Sequence, residues 1–241
     1  MPAIEIKDLY KSYGPVNVLR GISLTVGEGE IFGLFGSNGA GKTTLLRIIT
    51  GQLAADSGEA YTAGISFSDS VGIKRAVGIV PEAESPPTFL TAREALELVC
   101  RIRRLDDVQG RVDRWLSFFD LESKANILCR DLSKGQRQKI ILASAFIHEP
   151  KLLLLDEAFI NLDPIYQKKI REYILGLAEE GRTVFMCTHI LEIAEKLCSR
   201  VAVIDGGRIV AQGTINELRI HAGEGLEEIF IRTVGGGPHE S

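Results

Sequence analysis

Apolar and polar positions alternate over residues 3–10 and again over residues 18–26, the pattern of two half-buried strands joined by a turn near Gly14-Pro15. Ile31-Phe32-Gly33-Leu34-Phe35 is apolar throughout, and so is Val77-Gly78-Ile79-Val80, which Pro81 stops. Such runs fit strands covered on both faces. Asp56-Ser57-Gly58 marks a turn before a short strand at 59–61, and further strands are predicted at 152–155, 183–188 and 201–204. Helical spacing appears after residue 43 and at 136–147, 164–179 and 190–197. Thr91-Ala92-Arg93-Glu94 can cap a helix running to about Arg104, and a second helix fits 110–119 with Val112, Trp115, Leu116 and Phe119 on one face. Residues 86–133 thus read as helix and loop without strand, a helical insertion in a chain that otherwise alternates strand with helix. That alternation predicts an α/β protein with a mostly parallel sheet and right-handed crossovers. Gly206-Gly207 turns the chain into a hairpin strand at 208–212, and a helix is predicted at 214–220. Residues 226–231 are expected to pack back on the body, and Gly235-Gly236-Gly237-Pro238 to form a mobile tail.

Composition narrows the classes. The 241 residues are 45% hydrophobic and 25% charged, which is ordinary for a soluble globular protein able to bury a sizeable core. A net charge of −4 gives no electrostatic case for nucleic acid as the main partner. No run approaches the ~18 apolar residues that suggest a membrane span. Nothing at the N-terminus resembles a signal peptide. Cys100, Cys129, Cys187 and Cys198 lie far apart without a C-x-x-C pair, and are expected to be buried free thiols in a reducing cytosol.

The chemistry concentrates in four places. Gly36-Ser37-Asn38-Gly39-Ala40-Gly41-Lys42-Thr43 fits the phosphate-binding loop G-x-x-x-x-G-K-[ST]. Its glycines let backbone N–H groups curl around phosphate oxygens, Lys42 adds a point charge, and the Thr43 hydroxyl is placed to ligand Mg²⁺. The order strand, loop, helix is what the mechanism needs, because the helix beginning near Thr44 turns its positive end toward the phosphates. Four leucines deliver Asp156 and Glu157 to a strand's carboxyl end, where open α/β sheets bind ligands. Asp156 can hold the magnesium shell, and Glu157 can polarise an attacking water. Leu132-Ser133-Lys134-Gly135-Gln136 opens a helix that Ser133 can cap, with Gly135 letting backbone N–H groups approach an anion. Taken alone, that element is better explained as an ordinary helix cap. His189 follows a predicted strand directly, within plausible reach of a γ-phosphate if that strand shares the sheet.

These motifs and their order resemble the ATPase subunits of ABC transporters, with residues 132–136 matching the family signature L-S-x-G-Q. The resemblance covers about residues 3–231 and looks closest to single-domain subunits that partner separate ABC-2 type export permeases. It implies a P-loop NTPase (RecA-like) core with a parallel sheet, an N-terminal antiparallel β subdomain and an inserted α-helical subdomain. The implied division is an ATPase domain over 1–231, with 1–85 and 134–221 forming the β subdomain and core, 86–133 the helical part, and 222–241 a C-terminal segment and tail. It further implies ATP and Mg²⁺ as cofactors. Tyr13 would stack on adenine, residues 36–44 would cradle the phosphates, and Glu82 would stand at the Q-loop position. Ser133, Gly135 and Gln136 would bind the ATP of a second subunit, and Asp163 would cross the dimer interface. The partners implied are a second copy or a related subunit and integral membrane permease subunits, placing the chain at the cytoplasmic face of the membrane.

Two departures stand out. Glu82 replaces the family's usual glutamine, and Ala158-Phe159-Ile160-Asn161 replaces its usual P-T-[SN]-[GA]. Glu82 is nonetheless expected to act as a magnesium ligand, together with Thr43 and Asp156. The basic group Arg101, Arg103 and Arg104 reads either as a solvated helix face or as a surface for the membrane subunit or anionic lipid. A soluble ABC ATPase acting on ribosomes or DNA is the main alternative, disfavoured because such proteins usually carry two nucleotide modules or a long coiled coil. A binding module with degraded hydrolysis is disfavoured by Glu157 and His189.

Overall fold

The computed structural model, which describes residues 1–82, 85–221 and 223–235, folds the chain around two sheets. The alternating N-terminal pattern forms an antiparallel hairpin of Ile4–Tyr13 (β1) and Val16–Val26 (β2). Ser57–Thr62 (β4) pairs with the other edge of β1, and Ile65–Ser66 (β5) closes this four-stranded sheet. The second sheet runs, in space, Arg208–Thr214 (β10), Arg200–Asp205 (β9), Ile31–Gly36 (β3), Thr183–Cys187 (β8), Leu152–Asp156 (β7) and Val77–Val80 (β6). All its pairs are parallel except the terminal β9–β10 hairpin.

The apolar runs are continuous because this sheet is covered on both faces. Ile31, Phe35, Leu153, Leu155, Val184, Met186 and Val201 face one core. Their neighbours Phe32, Leu34, Leu152, Leu154, Phe185, Cys187 and Ala202 face the other, against Lys42–Ile49 (α1) and the antiparallel sheet. The first core also takes up Ala92–Arg103 (α3), Val108–Phe118 (α4), Lys134–Phe146 (α5), Pro164–Glu179 (α6) and Leu191–Leu197 (α7). Trp115 anchors α4 there, its ring 5.3 Å from those of Phe146 on α5 and Tyr173 on α6. Truncating so large a buried aromatic costs ~3–5 kcal/mol.

Three local features escaped the periodicity. Ser70–Ala76 forms a helix (α2) that buries only Ile73, too little to show as a stripe. The helix expected at 136–147 starts two residues earlier, at Lys134, because Ser133 is already its cap. The helix expected at 214–220 shrinks to Ile215–Leu218 (α8), capped by Thr214. Between residues 86 and 133 there are α3, α4 and two short 3₁₀ turns, with one isolated bridge between Thr91 and Leu128 and no strand among the described residues. Leu226–Gly235 is a helix (α9) that buries Leu226 and Ile229 against the body. Of the mobile tail expected at Gly235-Gly236-Gly237-Pro238, Gly235 instead ends this helix, and residues 236–238 lie outside the described residues. All four cysteines are buried thiols, and burial raises each above its ordinary range.

Candidate functional site

The phosphate-binding loop connects β3 to α1 at the carboxyl edge of the parallel strands. Gly41 caps α1 at φ +111°, a conformation that L side chains rarely adopt, and an added Cβ would come 2.7 Å from the Leu19 side chain. Glycine is therefore required there by both torsion and space. No side chain caps α1, so the N–H groups of its first turn remain available to a ligand. Lys42 Nζ lies inside the curl of the loop, donating to Gly36 O at 2.7 Å and Ser37 O at 3.0 Å.

In front of this helix start is a cleft of about 410 Å³. It gathers Asn38, Gly39, Gly41, Lys42, Thr43, Thr44, Glu82, Asp156 and Glu157, with Val18 as an apolar wall. Three separate motif stretches, residues 38–44, Glu82 and Asp156-Glu157, thus meet in one cleft. Asp156 ends β7 at 3% exposure. Burial, reinforced by the charges of Glu82 and Glu157, pushes its carboxyl up to about 6. Thr43, Glu82 and Asp156 are hard oxygen donors on one cleft, which suits a hard divalent cation. No cluster of three or more His, Cys, Asp or Glu side chains converges as a metal cage among the described residues. A donor set of this kind fits Mg²⁺ only with phosphate and water oxygens completing the shell.

Glu157 is held more firmly than its sequence position suggests. It is 8% exposed and adopts φ +50°, a left-handed conformation rare outside glycine. Its N–H donates to Cys187 O at 2.9 Å, tying it to β8. Thr188 Oγ1 donates to its Oε2 at 3.2 Å, and His189 Nδ1 lies 2.9 Å from its Oε1. Thr188 was not apparent as a site residue; the only available signal was a hydroxyl at the strand end beside His189. A ring that donates from Nδ1 to Glu157 can donate a second bond from Nε2 only when both nitrogens carry protons.

The remaining predicted residues lie elsewhere. Tyr13 sits at the end of β1, 47% exposed, with Lys11 Nζ 5.8 Å from its ring centroid. Ser133 and Gln136 satisfy each other in a capping box: Ser133 Oγ accepts from Gln136 N at 3.2 Å, and Gln136 Oε1 accepts from Ser133 N at 2.9 Å. Gly135 has a local reason as well, because a Cβ there would come 2.7 Å from Asn161 O. Asp163 caps α6, accepting from Ile165 N and Tyr166 N at 3.0 and 3.2 Å, with Pro164 at the first helical position.

The Ala158–Asn161 departure is a packing solution. Ala158 and Phe159 are buried, Gln138 donates to Ala158 O at 3.1 Å, and Gln167 donates to Phe159 O and Leu162 O. The segment is thereby bolted to both α5 and α6. The basic group divides: Arg103 donates to Arg75 O and Val77 O, so it belongs to the body and not to a free basic face.

This fold and this cleft are those of a P-loop nucleoside triphosphatase. A family description, "ABC transporter", matches residues 19–160. The Nod factor export ATP-binding protein I of Rhizobium etli is 37% identical over 243 residues, spanning 100% of this chain and 76% of its own length. A solved structure described as the ATP-binding subunit of an ABC transporter superposes with a TM-score of 0.90 at 30% identity, covering 96% of this chain and 99% of its own. A dimeric ATP-binding cassette in a post-hydrolysis state, bound to ADP and Pi, superposes with a TM-score of 0.81 at 26% identity over 88% of this chain and 98% of its own. The chain belongs to the ABC transporter family, as an ATP-binding ATPase subunit.

Proposed function

We propose that this subunit works as one of a pair, closing over two ATP molecules to drive a separate membrane permease, and that the permease is an exporter. The observation that carries the pairing is an incomplete site. The cleft contains the P-loop, Asp156 and Glu157, while Ser133, Gly135 and Gln136 are absent from its lining among the described residues. The start of α5 is therefore free to serve a second subunit's nucleotide, in a homodimer or heterodimer, with Asp163 at the junction. The dimeric cassette found among the structural relatives supports this reading. The export activity named for the Rhizobium relative supports the direction.

In this scheme the adenine stacks on Tyr13, and the amides of residues 37–44 with Lys42 hold the phosphates. Thr43, Asp156 and Glu82 hold Mg²⁺, which supplies charge neutralisation on the phosphate oxygens. Glu157 orients and polarises the attacking water from the geometry that Thr188 and His189 impose. His189 keeps Glu157 oriented through Nδ1 and contacts the γ-phosphate. Residues 86–133 move as a helical unit and pass closure to the permease. A cavity of about 720 Å³ between α2 and α3, lined by exposed Val71 and Ile102, by Leu105 and His148, and by Lys74, Arg75, Arg103 and Arg104, offers apolar and basic groups to a permease segment. No helix of the described residues is long and apolar enough to cross a membrane, so attachment at the cytoplasmic face falls to that partner.

The test is Glu157→Gln. ATP hydrolysis is expected to fall by at least ~10²-fold while ATP still binds, and the protein should elute as a nucleotide-bound dimer in size-exclusion chromatography. Full turnover in that variant would remove Glu157 from its assigned role.

A further inference from the structure

The charge balance of the cleft is strongly negative. Glu82, Asp156 and Glu157 line it beside one ammonium, that of Lys42. Their placement differs. Asp156 and Glu157 are buried at the end of the β7 strand, whereas Glu82 stands exposed on the turn that follows β6. Glu157 is engaged by Thr188 and His189. Glu82 borders the cleft and also the smaller cavity beside it, where Thr43, Arg47 and Asp156 reappear. Its charge and that of Glu157 both press on Asp156.

We infer that Glu82 makes nucleotide binding conditional on the divalent cation, rejecting metal-free ATP and admitting the metal complex. The inference rests on the cleft being the ATP site. Two effects of one carboxylate act in opposite senses on the two forms of the ligand. Against bare triphosphate, a third negative charge adds repulsion that Lys42 alone does not offset. Toward the metal complex, the same oxygens are hard donors that favour the cation. A neutral amide of the same shape keeps an oxygen for the metal but drops the repulsion. Glu82 is thus a specificity-determining residue: it separates two states of one ligand. The site is thereby kept clear of nucleotide that lacks the ion needed for hydrolysis.

The experiment is calorimetric titration of the full chain with ATP, in Mg²⁺ and in EDTA, for the wild type and Glu82→Gln. Binding is the readout, so turnover does not enter. The expected result is that Glu82→Gln binds ATP in EDTA about tenfold more tightly than the wild type, with its Mg²⁺·ATP affinity unchanged or weaker. A gain of less than about threefold in EDTA overturns the inference, whatever happens in Mg²⁺. An equal change in both conditions also overturns it, because that is the mark of a structural perturbation. Failure of the wild type to bind ATP even with Mg²⁺ is a separate outcome that removes the nucleotide reading itself. ADP provides a further check: with one phosphate fewer, its gain in EDTA should be smaller than that of ATP.

Discussion

Two helix starts in this protein carry anion-binding sequences, and they are built in opposite ways. The start of α1 is capped by Gly41 in a left-handed conformation and has no side-chain partner for its first-turn amides. The start of α5 is closed by the reciprocal Ser133–Gln136 box. An uncapped start forgoes ~1 kcal/mol of helix stability and keeps donors aimed at the cleft; a capped start is satisfied without any ligand. The first is therefore a standing site. In the second, Ser133 Oγ and Gln136 Oε1 act only as acceptors within the box, so the Ser133 O–H and the Gln136 side-chain N–H groups stay free to donate. The comparison teaches that residues 36–43 and 132–136, the two halves of the proposed paired site, are unequal: one presents backbone donors of an uncapped helix, the other side-chain donors of a helix that is already capped.

The largest expected effect separates the halves directly. Lys42→Ala should weaken ATP binding to the isolated chain by about 100-fold, because an ammonium inside the loop is lost. Ser133→Ala should leave that affinity within about twofold, yet reduce ATPase turnover at least tenfold and lower stability by ~1 kcal/mol through the lost cap. Calorimetry, phosphate release and urea unfolding on the same preparations decide it. An equal loss of ATP affinity in both variants would break the comparison, since it would place residue 133 on the chain's own nucleotide.

A smaller effect contrasts Asp156 in the cleft with His148, which lies against Val77 O at the start of β6. His148, whose Nδ1 is buried without a partner, is pushed down from 6.5 to about 4, chiefly by burial and then by Arg103. The unfolded chain takes up this proton first, so acidification from pH 6.5 toward 4 destabilises the protein through His148. Asp156 is raised from 3.8 to about 6, so the folded chain takes up its proton first. Acidification through that range stabilises the protein through Asp156. In the nucleotide-free, metal-free protein the two oppose each other at about 1–2 kcal/mol each by pH 5. Urea unfolding at pH 7 and pH 5 should show stability falling more steeply with acid in Asp156→Asn than in the wild type. His148→Asn should show the reverse slope, and identical slopes in all three proteins would contradict both assignments.

The smallest effect probes the junction of the second half. Gly135→Ala places a methyl 2.7 Å from Asn161 O, so the 158–162 segment must shift. A loss of ~1–2 kcal/mol in urea unfolding is expected, with ATP affinity of the isolated chain unchanged. A neutral substitution would show that the segment is looser than its Gln138 and Gln167 bonds imply.

Much of this arrangement was legible beforehand. The strands of the parallel sheet showed as apolar runs because a sheet covered on both faces favours apolar residues at successive positions. The loop at 36–43 was legible because phosphate binding by backbone demands glycine at fixed spacing. The α5 cap was visible from Ser133, although the boundary of the helix was not. What stayed hidden depended on partners distant in sequence. Thr188 became a site residue only when β8 was laid beside β7. The odd 158–161 segment became intelligible only when Gln138 and Gln167 were seen to hold its carbonyls. Arg103 left the exposed basic group because two backbone carbonyls 26 and 28 residues away accept its hydrogen bonds.

By itself, the sequence determined which groups are present and which local conformations they favour: the glycines that permit the loop, the leucines that bury a strand, and the acids that end it. Those are short-range consequences of residue type, and they suffice to name a nucleotide chemistry. Tertiary structure alone decided which carboxylates share a cleft. The sheet order places β3 beside β8 and β7 beside both β8 and β6. That order brings Glu82, Asp156 and Glu157 into one cleft with Lys42, although more than 70 residues separate the first two along the chain. Charge acts through space and is amplified where water is excluded. Spread along an extended chain, Glu82 and the Asp156-Glu157 pair would not meet the same ligand.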